Sequence, residues 1–374
     1  MPIEYFVNRF AAKISAENPS YFLIWGLYFL VIYDTIFLTV NNYSFTEENN
    51  MNFTAIGAGQ SHEGFCLIKS VEKKLTAKGV PYLDLILADN DGEINAKLWD
   101  YKESPSNTFE KFDFVKVRGS YVPFNDTIQF RVERIRCVLP EDNVKIEDYV
   151  PSACLSGEVM LAEIETIIAS FDDEELKLLV TKVIAEYRDK LIYWPAAKNL
   201  HHAVRSGLLM HTLSILRLAK SVCSIYKYVN YDLLCTGAIL HDIAKIDELD
   251  AASTGIAGEY TVKGNLLGHL VMGAVNVDRI GRENGISDET LTLVEHMLIS
   301  HHGTPEFGAA KLPMFIEAEL LSQLDLLDAR LYEMNHAVSE VEVGAFTPRQ
   351  WALENRNLYN HGRAAGEGIN LIEK

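Results

Sequence analysis

Positive charge is scarce in this chain. Its 374 residues hold 34 Lys and Arg against 52 Asp and Glu, a formal net charge of −18. That balance excludes a protein that coats a polyanion through its overall field. Paired cysteines are missing as well. Cys66, Cys137, Cys154, Cys223 and Cys235 are scattered without a CxxC spacing, which excludes a regular disulfide framework, and the odd count suits a reducing compartment. They read as small buried hydrophobes. The shortage of cations is uneven: residues 61–140 hold 12 Lys and Arg and 12 Asp and Glu. This neutral stretch is the better candidate for first contact with a polyanion, and a catalytic site in the acidic remainder needs metal ions to offset its charge.

No small-residue A-x-A site closes the apolar run at residues 21–40, YFLIWGLYFLVIYDTIFLTV, so a cleaved signal peptide fits poorly. The run is about as long as a membrane span, and Asp34 within it costs about 2.5–3.5 kcal/mol on insertion. Arg9 and Lys13 precede the run, Glu47 and Glu48 follow it, and no Lys or Arg appears until Lys69. The positive-inside tendency would put everything after residue 45 outside the cytoplasm, which suits neither unpaired cysteines nor chemistry on nucleic acid. Met51 reads as a natural domain start. Residues 1–50 are therefore expected to be an extension outside the functional protein and the location cytoplasmic, with a membrane anchor through residues 21–40 as the alternative.

From about residue 62 the pattern has period two. FCLIKSV, YLDLILAD, EINAKLW, DFVKVRGSYV and TIQFRVERIRCV are five strand-like runs, and Asp91-Gly92 is a hairpin signal between the second and third. Five short strands in about 80 residues suit a partly open Greek-key barrel of the OB type. Val115 and Val117 alternate with Lys116 and Arg118, and Ile128, Phe130 and Val132 with Gln129, Arg131 and Glu133. One face is thus apolar and the other carries cations. Tyr82, Trp99, Tyr121 and Phe124 offer aromatic surface of the kind on which single-stranded bases stack, although each also suits a barrel core. The candidate nucleic-acid contacts are Lys116, Arg118, Arg131, Tyr82 and Trp99.

Eight of the 11 histidines fall between residues 201 and 302. SGLLMHTLSILRLAK reads as an amphipathic helix carrying His211. LLCTGAILHDIAKI reads as a hydrophobic helix whose end carries His241, Asp242 and Lys245, and AELLSQLDLLDARL as a third holding Asp325 and Asp328. An Asp embedded in so apolar a helix is penalised by several kcal/mol unless paired, and a divalent cation is its natural partner. Neighbouring helical residues point about 100° apart, so His241 can face one metal while Asp242 bridges two. Two cations about 3.5–4 Å apart can hold a hydroxide nucleophile and clamp a phosphoryl oxygen. A lone histidine on such a helix is more often a hydrogen-bonded core residue; the ordered set His211, His241, Asp242, His269, His301, His302 and Asp325 reads as metal ligands. His296, five residues before His301, turns off that face, and His62, His336 and His361 read as surface. Imidazole suits Mn, Fe, Co, Ni and Zn, and the carboxylates admit harder ions such as Mn and Mg.

The order H…HD…H…HH…D resembles the HD phosphohydrolase superfamily. WPAAKNLHHAVRSGLLMHTLSILRLAK, GAILHDIAKIDEL, YTVKGNLLGHL, ISHHGTPEFGA and EAELLSQLDLLDARL, with AKLWD before them and FTPRQWALENRNLYNH after, resemble the YhaM-type 3′–5′ exoribonucleases over roughly residues 60–362. Ala244 stands where many HD proteins have Gly, a change a helix tolerates. The resemblance implies an α+β multidomain chain: a small five-stranded OB-type barrel at 60–142, an all-α HD domain at 155–345 and a C-terminal tail at 346–374. It implies two divalent metal ions, Mn²⁺ first, with Co²⁺, Fe²⁺ or Mg²⁺ as alternatives. His211, His241, Asp242 and Asp325 would hold one, and Asp242 would bridge to another held by His269, His301 and His302. Asp242 and Lys245 would be catalytic, Lys245 by contact with phosphate, the alternative being a solvated lysine at a helix end. His201 and His202 would line the substrate entrance or be structural, and residues 249–264, with Gly255, Gly258 and Gly264, would form a mobile loop near the mouth.

The implied activity is 3′–5′ hydrolysis of single-stranded RNA, with single-stranded DNA as a second substrate, to nucleoside 5′-monophosphates. Polarity of attack comes from the resemblance alone. The alternatives are an HD phosphodiesterase of small or cyclic nucleotides and a single-strand DNA-binding replication accessory. No obligate protein partner is evident, and a homo-oligomer remains open.

Overall fold

The computed structural model describes residues 51–371 apart from 52, 54–58, 90–91, 105–106, 125–126, 199–201, 365 and 367. The apolar run at 21–40, Asp91 of the expected turn and His201 lie outside the described residues. The chain divides into two compact units, one comprising residues up to Phe109 with Val115–Val138, the other Glu110–Phe114 with Leu139–Lys374.

Five strands build the first unit: β1 (Ser61–Leu75), β2 (Pro81–Ala88), β3 (Glu93–Leu98), β4 (Phe114–Phe124) and β5 (Thr127–Cys137). They close into a barrel in the order β1-β2-β3-β5-β4, with β3 and β5 parallel and the β1–β2, β2–β3 and β4–β5 pairs antiparallel. This is an OB-type barrel, closed rather than partly open. Alternation decides which side chains enter it: Leu83, Leu85 and Leu87 on β2, Ile94 and Ala96 on β3, Val115 and Val117 on β4, and Phe130 and Val132 on β5 are buried. Three expectations need correction. Tyr121 shares the inward face of Val115 and Val117 and is fully buried, its ring 4.9 Å from that of Phe130, so it offers no stacking surface. Ile128 pairs with Pro123 next to the β4–β5 turn, past the edge of the core, and is exposed. Gln129 is buried instead, because its Nε2 donates to Asn95 Oδ1 at 2.6 Å on the neighbouring β3.

The second unit is helical: α1 (Gly157–Ala169), α2 (Glu174–Leu191), α3 (Gly207–Ile225), α4 (Tyr231–Leu240), the single-turn α5 (Lys245–Glu248), α6 (Val262–Glu283), α7 (Asp288–Ser300) and α8 (Ile316–Ser339). Side-chain caps set several starts: Ser156, Asp173, Asn230, Thr261 and Ser287 each accept a hydrogen bond from a main-chain N–H in the first turn. The apolar stripes of α1–α4, α6, α7 and α8 meet in one core that includes Leu179, Leu213, Leu234, Val277, Val294 and Leu321. Within it, α3 and α4 pack on each other and on α8, while α7 packs on α4, α6 and α8.

Residues 249–264 are not a loop. Strands β6 (Leu249–Ala251) and β7 (Ala257–Tyr260) pair as a small antiparallel hairpin, and α6 starts directly after it. The glycines that suggested mobility serve close packing; a Cβ on Gly264 would lie 2.2 Å from the Glu248 carbonyl oxygen. In the tail, Leu353 and Leu358 form a small separate cluster with Ala337 near the end of α8. Of the cysteines only Cys66 and Cys235 are buried; Cys137, the last residue of β5, and Cys154, ahead of α1, are exposed.

Candidate metal centre

The helix expected to carry His241, Asp242 and Lys245 stops earlier. α4 ends at Leu240, His241 caps it, and a turn leads to α5, which begins at Lys245. Ala244 sits in this turn at φ −76°, ψ −1°, a conformation that needs no glycine. The turn presents His241 and Asp242 together, both buried. From α3, the ring of His211 brings Nε2 to 3.3 Å from His241 Nε2, 3.1 Å from Asp325 Oδ1 on α8 and 3.7 Å from Asp242 Oδ2. His241 Nε2 lies 3.3 Å from the same Asp242 oxygen.

The other carboxylate oxygen of Asp242 faces a second group. Oδ1 lies 3.2 Å from His269 Nε2 and 3.8 Å from His301 Nε2. His302 joins them, its ring centroid 5.2 Å from that of His269 and 4.4 Å from that of His301. Both neighbours reach the site because His301 caps α7 and the chain turns directly after it. In each of the sets His211–His241–Asp242 and His269–His301–His302, one ligand atom per residue lies within 4.8 Å of the others. Asp242 stands between the two sets with one oxygen toward each.

The remaining ring nitrogens explain this convergence. His241 Nδ1 donates to the Ala238 carbonyl at 2.9 Å, His301 Nδ1 to Leu298 at 2.7 Å and His302 Nδ1 to Phe307 at 2.7 Å. A carbonyl only accepts, so Nδ1 carries the proton in all three and the Nε2 lone pair points inward. Carboxylates do the same for the other two: Asp328 Oδ2 lies 2.8 Å from His211 Nδ1, and Glu248 accepts from His269 Nδ1 at 3.0 Å. Asp242 Oδ1, His269 Nε2 and His301 Nε2 are buried without a hydrogen-bond partner among the described residues, a state that disfavours folding unless another partner is supplied. Imidazoles held at Nδ1 by outer acceptors around a shared carboxylate fit divalent cations.

The electrostatics agree. Burial resists ionisation of Asp242, yet Lys245, His241 and His269 hold its carboxyl well below the usual range. The Lys245 ammonium lies 2.7 Å from Asp242 Oδ2 with its side chain 12% exposed, so it is not a solvated helix-end lysine. Asp325 is depressed too, by His211 and His241 against the opposing effect of burial. Burial lowers His301 and His302. His211 goes the other way: burial opposes its charge, but Asp325 and Asp328 raise it to about 10, so a cation there competes with a proton.

The HD domain family pattern matches residues 208–330. The 3′-5′ exoribonuclease YhaM of Listeria welshimeri is 37% identical over 302 residues, 81% of this chain and 96% of that protein. The 3′-5′ exoribonuclease YhaM of a Geobacillus species is 36% identical over 301 residues, 80% and 92% of the two chains. The chain belongs to the YhaM family of 3′-5′ exoribonucleases. Among solved structures, the second OB-fold domain of replication protein A from Methanococcus maripaludis matches 22% of this chain and 86% of its own, at 18% identity and a TM-score of 0.17.

This YhaM-family chain is therefore an enzyme, a hydrolase with an HD domain. Some residues around its centre were given no role as ligand supports by sequence reasoning. Glu248 gave no signal beyond following the HD motif. Asp328 lies three residues after Asp325 on the same helix face, and that spacing was the available clue. His202 proves fully buried, its Nε2 2.7 Å from Asp328 Oδ2, which is a structural place. His296 faces elsewhere, accepting from the Met314 N–H at 3.0 Å.

In the barrel unit of the YhaM-family enzyme, Trp99, Lys116 and Arg118 line a groove of about 620 Å³ together with Lys102, Arg134 and Arg136. Tyr82 stacks on Trp99 at 4.6 Å and 29°. Arg131 is exposed but not among the groove residues. Lys116 and Arg118 lie 3.2 and 3.8 Å from Glu63 and Glu133, and these exposed pairs are weak enough for a phosphate to displace.

Proposed function

We propose that this enzyme hydrolyses single-stranded RNA from its 3′ end to nucleoside 5′-monophosphates, using two divalent cations, with Mn²⁺ the working metal and single-stranded DNA a secondary substrate. The observation that carries the reading is the anchoring of five imidazoles at Nδ1, which leaves Nε2 of His211, His241, His269 and His301 beside the two oxygens of Asp242 and His302 grouped with His269 and His301. His211, His241, Asp242 and Asp325 would hold one cation, and His269, His301 and His302 with Asp242 the other. Cations so held supply Lewis acidity, which lowers the pKa of a water toward neutrality and offsets phosphoryl charge.

The chain's own groups do the rest. Lys245 adds a fixed positive charge beside Asp242 that favours a phosphate at the same place. Asp328 and Glu248 keep His211 and His269 in one tautomer. In the barrel, Trp99 supplies a stacking face and Lys116, Arg118 and Arg134 supply charge for a sugar-phosphate strand. The balanced charge of residues 61–140 supports assigning first contact to this unit, and the odd cysteine count without a CxxC spacing supports work in the cytoplasm.

The test is a time course on 5′-labelled single-stranded RNA with Mn²⁺. Shortening by one nucleotide at a time from the 3′ end, stopped by chelator, is the expected result. Internal cuts, or hydrolysis of cyclic dinucleotides with no action on polymer, would refute the reading.

A further inference from the structure

The single turn of α5 carries Lys245 and Glu248 toward the metal centre, and a network on its other side holds it in place. Tyr187 Oη, from α2, donates to Asp247 Oδ2 at 2.8 Å. Asn276 Nδ2, from α6, donates to the same oxygen at 3.0 Å and lies 2.6 Å from Tyr187 Oη. Burial and the adjacent Asp247 carboxylate push the Tyr187 phenol above its ordinary value, so it keeps its proton and remains the donor.

The main chain of α5 is tied in the same way. Trp194 Nε1 donates to the Lys245 carbonyl at 3.0 Å. Thr261 donates from Oγ1 to the Asp247 carbonyl and from its N–H to the Glu248 carbonyl, each at 2.9 Å. Thr261 Oγ1 also accepts from the Gly264 N–H at 2.9 Å and thereby caps α6, the helix that carries His269. A helix of one turn has too few internal hydrogen bonds to hold its own geometry. Its orientation is set from outside.

We propose that Asp247 is a positioning residue: held by Tyr187 and Asn276, it fixes the turn of helix from which Glu248 aims His269 at the metal centre. The inference rests on the metal-centre reading above. The Asp247 carboxylate is taken up by Tyr187 and Asn276 rather than by a ligand ring. Together with Tyr187 and Asn276 it borders a surface pocket of about 450 Å³, so truncating it opens no cavity in the core and the fold should survive.

The test is isothermal titration of Mn²⁺ into the metal-stripped full chain, with thermal melting of each variant alongside. Asp247→Ala should weaken Mn²⁺ binding by up to about 10-fold, the low end of the loss seen when a direct outer partner of a metal ligand, here Glu248, is removed. Asp247→Asn, which keeps an oxygen for Tyr187 and Asn276, should bind nearly as the natural chain does. Tyr187→Phe should weaken binding in the same direction by less. Unchanged affinity in Asp247→Ala, or equal losses in the Ala and Asn variants, overturns the proposal. Should Asp247→Ala fail to fold, Tyr187→Phe decides, and a lowered melting temperature with unchanged Mn²⁺ affinity overturns it. The readout is separate from hydrolysis: a natural chain that binds Mn²⁺ without cleaving RNA refutes the exonuclease reading and leaves the positioning result standing.

Discussion

Glu248 accepts from His269 twice, once from the backbone N–H and once from ring Nδ1, both at 3.0 Å. The first bond exists because α6 is broken at Gly268, whose φ of 72° and ψ of 159° free the following N–H from the helical ladder. Glu248→Ala should therefore weaken Mn²⁺ binding about 10- to 100-fold, with Glu248→Gln intermediate because it keeps one acceptor oxygen. Calorimetric titration distinguishes the two, and equal affinity in all three proteins would show that His269 needs no such partner.

Gly268 occupies a backbone region open essentially to glycine alone. The nearest atom to an added Cβ is Glu248 Oε1 at 3.9 Å, so Gly268→Ala meets no steric block and its effect is backbone strain, about 1–3 kcal/mol. Thermal melting should fall accordingly, and hydrolysis should fall further than stability because the strain lies next to His269. A variant with natural melting behaviour would contradict the kink.

Asp242→Ala removes the carboxylate shared by the two histidine sets and leaves Lys245 without its partner. Hydrolysis should be abolished while single-stranded RNA binding stays measurable by fluorescence anisotropy. Full activity in this variant would exclude the site.

Metal removal should lower stability as well as activity. A ligand that binds only the folded state at 100 times its dissociation constant stabilises by about 2.7 kcal/mol, so chelator should lower the melting temperature and Mn²⁺ restore it. Insensitivity to both would mean that the histidine sets hold no cation.

The barrel unit gives a pH prediction. Although burial opposes its charge, Asp84 is held down to about 2 by hydrogen bonds from Lys74, Lys97 and Asn95. Its unfolded value is about 3.9, so the folded-state value is depressed. The stability Asp84 contributes is then fully present above about pH 4 and is lost as pH falls through about 2. Asp84→Asn should be less stable than the natural chain at neutral pH, with the gap closing between about pH 4 and 2. Acid unfolding followed by tryptophan fluorescence reads this; a gap that widens on acidification would reverse the assignment.

Much of the fold was legible because period-two and helical patterning act locally. Leu83, Leu85 and Leu87 fall on one face wherever their strand is placed. Closure of the barrel was not legible, since it depends on which strands end up adjacent. Gln129 is buried only because Asn95 arrives beside it, and Ile128 is exposed only because β5 overshoots the core. The candidate ligands were visible through residue type and order, His211 to Asp325. Their supports were less so: Asp328 and Glu248 matter through where Nδ1 of another residue falls. Glycine misled at 249–264, because Gly264 marks a close approach of main chains rather than freedom.

The anchoring of the rings has a consequence for how such a centre changes over generations. The rings of His241, His301 and His302 lean on main-chain carbonyls, and no codon change deletes a carbonyl. His211 and His269 lean on the side chains of Asp328 and Glu248, which a single nucleotide change can replace. One such adjustable position belongs to each histidine set, so a single substitution can loosen one ring of a set while the carbonyl-anchored rings keep their places.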